Sequence, residues 1–449
     1  MKHITKFLIA LLIAFFSFIQ ISKSQPNWPA IKSGATFFVA DTTYGSPYIQ
    51  PINVPGWEDG LFMTRDGKNL YSTYLPVDAF SWITDLVLNP ICFNFHPYYR
   101  PPLLGIDTVT NVFGCPNYMH SDIIYASRTD TTVSFNAWNN SNLQTSFSFD
   151  GGAHGVLLNA DSFDVFVFTK DGPGTQSTDI MFMKNVPVNP TIASAVPILS
   201  TTGQEDNPHI ERLNDTTLVL LFDRDRYMHY SLSYDNGTNW QTPVLITNVL
   251  NDQAPYDVQP HLYNDGTDWW VYFCTNSVSG IRGIYKSKQL IANDWDSWGP
   301  KELVIEPNPP IGTFGTVFGI GEPTLTQWGD LSFVVVYGDI NSADTTDVFD
   351  CDPWYLPKKG STITKANNFT TAKTQLLVFP NPANGKITVR LSNANKTKTE
   401  IQIFDALGNK VKQFEMYIQQ QIDISDLPAG FYFIGIKDDL FTRVKLIKF

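Results

Sequence analysis

Between residues 25 and 359 apolar and polar positions alternate in short runs, and helical spacing is nearly absent, so this region reads as strands and turns. The alternation comes in units. Each unit opens with acidic residues and a Pro or Gly, continues as a short strand, turns on polar residues and returns as a strand rich in aromatics. One copy is Glu58-Asp59-Gly60-Leu61-Phe62-Met63 with Arg65 to Tyr71; another is Glu205-Asp206-Asn207-Pro208-His209-Ile210 with Leu218 to Phe222. Asp257 to Leu262 pairs with Trp269 to Phe273, and Gly321-Glu322-Pro323-Thr324-Leu325 with Leu331 to Tyr337. A weaker copy starts near Gly152-Ala153-His154. Each is followed by a further strand, as in Ile123 to Ala126 or Gly283 to Lys286. The Asp-Gly and Asn-Asp-Gly turns suit tight hairpins, because glycine tolerates positive φ. Three or four strands recurring about every 50 to 60 residues predict propeller blades, about five of them, the first enlarged by an insertion near 79–119.

The pattern changes at both ends. Met1 to Lys6 is basic, Phe7 to Ile21 is apolar, and Ser22 to Gln25 is small and polar, which is the layout of a secretory signal peptide over 1–24. No later stretch approaches about 20 uninterrupted apolar residues, so no transmembrane span is expected in the mature chain. Residues 360–374 are polar and irregular and read as a linker. From 375 to 449 the alternation resumes, as in Ile387 to Leu391 and Ile401 to Phe404, and predicts a small antiparallel sandwich.

This last segment carries Pro380-Asn381-Pro382 at its start, Phe404-Asp405-Ala406-Leu407-Gly408-Asn409-Lys410 at its centre, Ala429-Gly430-Phe431-Tyr432 later and Arg443 to Phe449 at its end. It resembles the C-terminal sorting domain of type IX secretion in Bacteroidetes. The resemblance implies that the type IX machinery is a partner. It also implies passage through the periplasm to a secreted or outer-membrane-associated surface location, and a sorting signal that includes Pro380, Asn381, Pro382, Gly430, Lys445 and Lys448. Within the repeats, Arg65 to Tyr71 is similar to the WD40-like repeats of bacterial propellers. Ser233-Tyr234-Asp235-Asn236-Gly237-Thr238-Asn239-Trp240 resembles the Asp-box of sialidase-type propellers. In those families the box is a hairpin turn remote from the active site. The expected fold class is therefore all-β: a propeller of about five blades followed by a small C-terminal β-sandwich sorting domain.

Composition narrows the partners. The 449 residues are 43% hydrophobic and 16% charged, which describes a folded chain with ample core. A formal charge of −12 argues against a nucleic-acid partner, which needs a concentrated basic surface. Cys92, Cys115, Cys274 and Cys351 lie far apart and make no zinc-ribbon spacing. Aromatics at 14% serve either cores between sheets or sugar-binding rims.

Candidate chemistry falls at the repeat entries. Innermost propeller strands flank the axis, so Glu58, Asp59, Asp206, Asp257 and Glu322 would converge near one mouth of the channel. A carboxylate pair there is what glycoside hydrolysis needs, one as acid and the other as base or nucleophile. The plain alternative is that they cap strand ends or bond neighbouring amides. Trp57 and the segment holding His96, Tyr98, Tyr99 and Arg100 offer an aromatic and cationic rim for an extracellular glycan. His154, His209 and His261 hold similar repeat positions and would bind a metal if all pointed inward. Histidines packed between sheets are the ordinary outcome, so neither a metal nor a cofactor is assigned. A surface recognition module, with glycans as candidate ligands, and a polysaccharide-active glycoside hydrolase are the two functions carried forward.

Overall fold

The computed structural model describes residues 26–54, 56–75, 106–107, 118–119, 121–143, 150–171, 178–199, 203–252, 257–276, 282–308, 317–338, 349–361, 376–391, 398–405, 409–417, 419–437 and 443–449. The signal-peptide segment, Cys92, Cys115, and the rim candidates His96, Tyr98, Tyr99 and Arg100 lie outside these residues. The chain divides into two compact units, 1–364 and 365–449.

The larger unit is a five-bladed propeller. Blade 1 runs outward from Trp57–Met63 through Asn69–Leu75 and Asp122–Ser127 to Asn139–Asn140; blade 2 runs from Asp150–Asn159 to Val196–Ile198. Blade 3 begins at Glu205–Arg212, blade 4 at Val258–Asn264 and blade 5 at Val317–Leu325, each continuing outward through antiparallel neighbours. Two short strands near the N-terminus complete the last two blades. Phe37–Val39 pairs with Glu302–Pro307 at the edge of blade 4, and Tyr48–Ile49 pairs with Phe349–Leu356 in blade 5. The start of the chain thus covers edges that would otherwise expose unpaired strand groups.

Five apolar clusters fill the five seams between neighbouring blades. Phe62, Tyr71, Phe163 and Phe166 lie between blades 1 and 2, Val167, Phe182 and Phe222 between 2 and 3, and Phe273, Trp295 and Trp298 between 3 and 4. Phe333 and Tyr337 pack between 4 and 5, and Trp57, Val334 and Tyr355 between 5 and 1. Much of the aromatic content is therefore propeller core. Residues 234–240 form a turn following the third strand of blade 3, Tyr227–Ser233. Asp235 Oδ1 accepts from Ser233 Oγ at 2.9 Å and from the Asn239 N–H at 2.8 Å, while Trp240 packs on Phe182.

The smaller unit has two facing antiparallel sheets around Ile387, Val389, Ile401, Ile403, Ile434 and Leu446, all buried. One sheet holds Leu376–Phe379, Lys386–Leu391 and Gln419–Asp423; the other holds Thr399–Asp405, Lys410–Met416, Gly430–Ile436 and Arg443–Lys448. Asn381 ties the opening motif to the last strand: its Nδ2 donates to Lys445 O at 2.6 Å and its Oδ1 accepts from the Ile447 N–H at 2.9 Å. Lys445 sits over the Phe431 ring at 4.4 Å, and Lys448 is buried.

Candidate functional site

One backbone irregularity, repeated five times, builds the axis. In each innermost strand a residue adopts left-handed φ: Gly60 (53°), Gly152 (55°), Asn207 (49°), Gln259 (61°) and Glu322 (54°). Each stands at or beside a shift in register with the next strand. A bulge of this kind bends the strand and re-aims the side chains around it. Three of these positions carry a polar side chain, but Gly60 has no room for one, because a Cβ there would collide with the Thr73 hydroxyl.

Immediately before the bulge, neighbouring residues face opposite ways. Glu58, Asp150, Glu205 and Asp257 turn into the blades and are fully buried. Glu58 accepts from the Val54 N–H at 2.8 Å and Trp138 Nε1 at 3.0 Å. Glu205 accepts from Arg224 Nε at 2.7 Å, and Asp257 from Lys301 Nζ at 2.5 Å and the Asn251 N–H at 2.6 Å. Glu58 and Asp257, expected among the catalytic candidates, are instead held within the fold by these contacts. Burial pushes the Glu58 carboxyl well up, with nearby Asp352 adding to the effect. Trp57, expected on a sugar-binding rim, packs in the seam between blades 5 and 1, and its Nε1 donates to Asp59 Oδ2 at 3.1 Å.

The next residue along faces the channel mouth in two of these blades. Asp206 is exposed to solvent, yet burial of its surroundings raises its carboxyl and the negative charge of Asp59 raises it further. Access to water combined with a desolvating environment is the signature of a funnel. Asp59, half-buried, is raised by burial in the same way. Glu322, from blade 5, is pushed well up by burial and then by Asp59, Asp206 and Asp223 together. Asp223 rises to about 7, chiefly through burial, although it accepts from the Gln259 N–H and Asn207 Nδ2, both at 2.8 Å. Arg282 of blade 4 opposes the upward shifts at Asp59, Asp223 and Glu322.

The funnel thus gathers Asp59, Asp206 and Glu322 from three different blades and excludes Glu58 and Asp257. It also contains residues that the sequence pattern passes over. Asp223 ends the apolar run Leu218 to Phe222, where a lone carboxylate was the available signal. Arg282 opens a strand with nothing in its neighbours to mark it. Asn207 and Gln259 become visible only once the bulge is seen. Below the mouth a cavity of about 30 Å³ is lined by Asn207, Gln259 and Glu322 and by His154, His209 and His261.

Such a constellation defines the larger unit as a five-bladed propeller with an acidic funnel. The C-terminal unit is a secretion-system sorting domain: residues 377–448 match the family described as "Secretion system C-terminal sorting domain". No curated protein matches the chain. Among solved structures, the chain is similar to the catalytic domain of the Coprinopsis cinerea GH62 α-L-arabinofuranosidase, with 12% identity, a TM-score of 0.40 and coverage of 71% of this chain and 97% of that one. It is similar to a GH43 protein of Bacillus licheniformis at 10% identity and a TM-score of 0.40, covering 89% of this chain and 90% of that one. It is also similar to the Bombyx mori GH32 β-fructofuranosidase at 9% identity and a TM-score of 0.39, covering 90% of this chain and 86% of that one. Among the described residues no helix is long and apolar enough to cross a membrane.

Proposed function

We propose that this chain is an exported surface protein whose funnel hydrolyses glycosidic bonds in an extracellular polysaccharide. The observation that carries the reading is the gathering of Asp59, Asp206 and Glu322, carboxyl groups from blades 1, 3 and 5, at one funnel: Asp59 raises the proton affinity of Asp206, and both raise that of Glu322. Glycoside hydrolysis needs one carboxyl that keeps its proton near neutral pH and a second that is ionised. Glu322 is the acid, because burial and three like charges hold its proton. Asp206 is the base or nucleophile, because it alone of the three lies exposed to solvent. Asp59 and Asp223 keep the field around Glu322 negative, and Gln259 orients Glu322 by donating from Nε2 to its carboxyl.

Export rests on the sorting domain together with the N-terminal pattern of a signal peptide. The type IX machinery is then the partner that handles the C-terminal unit. Removal of the signal peptide leaves the propeller to begin near the short strands that edge blades 4 and 5.

The test is a screen of the full chain against polysaccharides and aryl glycosides, with Glu322→Gln and Asp206→Asn alongside. Losing a general acid costs about 10²- to 10⁴-fold in kcat. Glu322→Gln is expected to lose at least about 100-fold on unactivated glycosides and much less on aryl glycosides, whose leaving group needs no proton. Asp206→Asn is expected to fail on both. Glycan binding without turnover, indifferent to both substitutions, would make the funnel a recognition face and overturn the hydrolytic reading.

A further inference from the structure

The C-terminal unit turns two sheet faces outward, and they differ. A sheet face in water ordinarily carries polar side chains. The smaller sheet follows this rule, with Lys386, Thr388 and Arg390 alternating against the buried Ile387 and Val389. The larger sheet follows it at one end only. There Gln402 stands between Gln413 and Gly435, and Glu400 pairs with Lys437 at 3.1 Å. At the other end a single row crosses all four strands: Lys410, Phe404, Phe433 and Lys445, each opposite the next. Two residues along, on the same face, Phe431 stands opposite Ile447.

The inward positions of these strands are already filled. Tyr432, Ile434 and Leu446 are buried in the sandwich core, whereas Phe431 and Phe433 are 52% and 39% exposed. The two rings are therefore additional to the core. Lys410 and Lys445 are exposed at the two ends of the row, and the Lys445 ammonium lies 4.4 Å from the centre of the Phe431 ring. Clustered apolar rings with a charged border mark an interaction site on a folded domain.

The residues expected in the sorting signal divide along the same line. Asn381 is occupied by its two bonds to the last strand, and Gly430 lies opposite Lys448 within the sheet. Lys448 is buried, and its Nζ donates to Phe449 O at 2.5 Å. These residues hold the shape of the domain. Lys445 lies on the opposite face of the same strand and is exposed.

We infer that this aromatic and basic face, centred on Phe431, Phe433 and Lys445, is the surface by which a protein of the secretion system holds the chain. The inference rests on the sorting domain and not on the hydrolytic reading. The partner's matching surface is an apolar hollow bordered by carboxylates: the hollow takes the rings, and the carboxylates meet the lysines. Charge supports this choice. Residues 365–449 carry 12 Lys and Arg against 7 Asp and Glu, in a chain whose formal charge is −12. A second copy docked through the same face would bring lysines against lysines. A lipid surface is the poorer fit, because rings on a flat sheet sink among headgroups only if the polar end around Gln402 and Glu400 goes with them.

The experiment follows export of the full chain in a Bacteroidetes host with a working type IX system, comparing the periplasm with the cell surface and medium. Phe431→Ser/Phe433→Ser and, separately, Lys445→Glu are expected to lower the exported share at least about tenfold, as for loss of a central interface anchor. Arg390→Glu, the same charge change on the smaller sheet, is expected to export normally. Thermal melts of the purified chains establish that the variants fold, and Lys445→Glu serves if the double variant does not. Photo-crosslinking from Phe433→p-benzoylphenylalanine is expected to join the chain to an outer-membrane protein of the secretion system. Normal export of either folded variant would overturn the inference. So would wild-type binding to anionic phospholipid vesicles, or a wild-type dimer in gel filtration, that the double variant abolishes; these outcomes would assign the face to lipid or to a second copy. Wild type exported no better than a chain ending at residue 364 would remove the sorting assignment itself, and this inference with it.

Discussion

Adjacent residues on the innermost strands have opposite fates, and the contrast between the seam face and the funnel face explains the site. Glu205 and Asp206 are neighbours with the same charge. Glu205 is sealed among blade strands and answered by Arg224, whereas Asp206 reaches solvent among other carboxylates. Asp257 repeats the seam arrangement with Lys301, and Glu58 with an N–H donor from Val54 and another from Trp138. Each of these three seam carboxylates accepts at least one short hydrogen bond. The funnel carboxylates accept from neutral donors, Asp59 from Trp57 Nε1 and Glu322 from Gln259 Nε2, and the charges of other carboxylates raise Asp206 and Glu322. A cation beside them makes the Glu205 and Asp257 charges structural, while desolvation among like charges raises proton affinity, at Glu322 in the funnel and also at Glu58 in the seam.

The comparison breaks most visibly under truncation. Removing one member of a buried ion pair leaves the other charge uncompensated and costs about 3–5 kcal/mol. Glu205→Ala is expected to lose about 3 kcal/mol in urea unfolding, through the Arg224 it abandons. Asp206→Ala should change stability by less than about 0.5 kcal/mol, as for an exposed site. Equal losses at the two positions would erase the distinction between the faces.

A smaller effect sharpens it. Asp223 has a folded-state pKa of about 7 against an ordinary 3.8, so between those values the folded chain binds the proton that the unfolded chain has released. Its contribution is full at low pH and is lost as pH rises through about 7. The slope it adds is at most about 1.4 kcal/mol per pH unit. Asp223→Asn is expected to flatten the fall of Tm across that window, because an amide keeps an oxygen to accept the Gln259 N–H and has no proton to lose. An unchanged pH profile would mean that Asp223 does not carry the strain assigned to it.

Much of this architecture was legible in the sequence. Hairpin turns such as Asn264-Asp265-Gly266 and the repeated Glu-Asp and Pro-His pairs mark the blades, because turn chemistry and strand alternation are local properties. The edge strands Phe37–Val39 and Tyr48–Ile49 were not legible, since short strands take their pairing from distant partners. The candidate site was legible only in part. Asp59, Asp206 and Glu322 were named together with Glu58 and Asp257, and the bulge that separates them interrupts the simple alternation on which such a choice depends. Asp223 and Arg282 come from the second and third strands of their blades, so no pattern along the innermost strands could have found them.

The most direct measurement of the two faces is carbodiimide labelling of carboxyl groups in the folded chain near neutral pH, read residue by residue by mass spectrometry. Solvent-reached carboxyls react and sealed ones do not, so Asp206 is expected to be labelled in the native protein, while Glu205 and Asp257 stay unmodified until urea unfolds the chain. Labelling of Glu205 or Asp257 at the rate of Asp206 before unfolding would contradict the account.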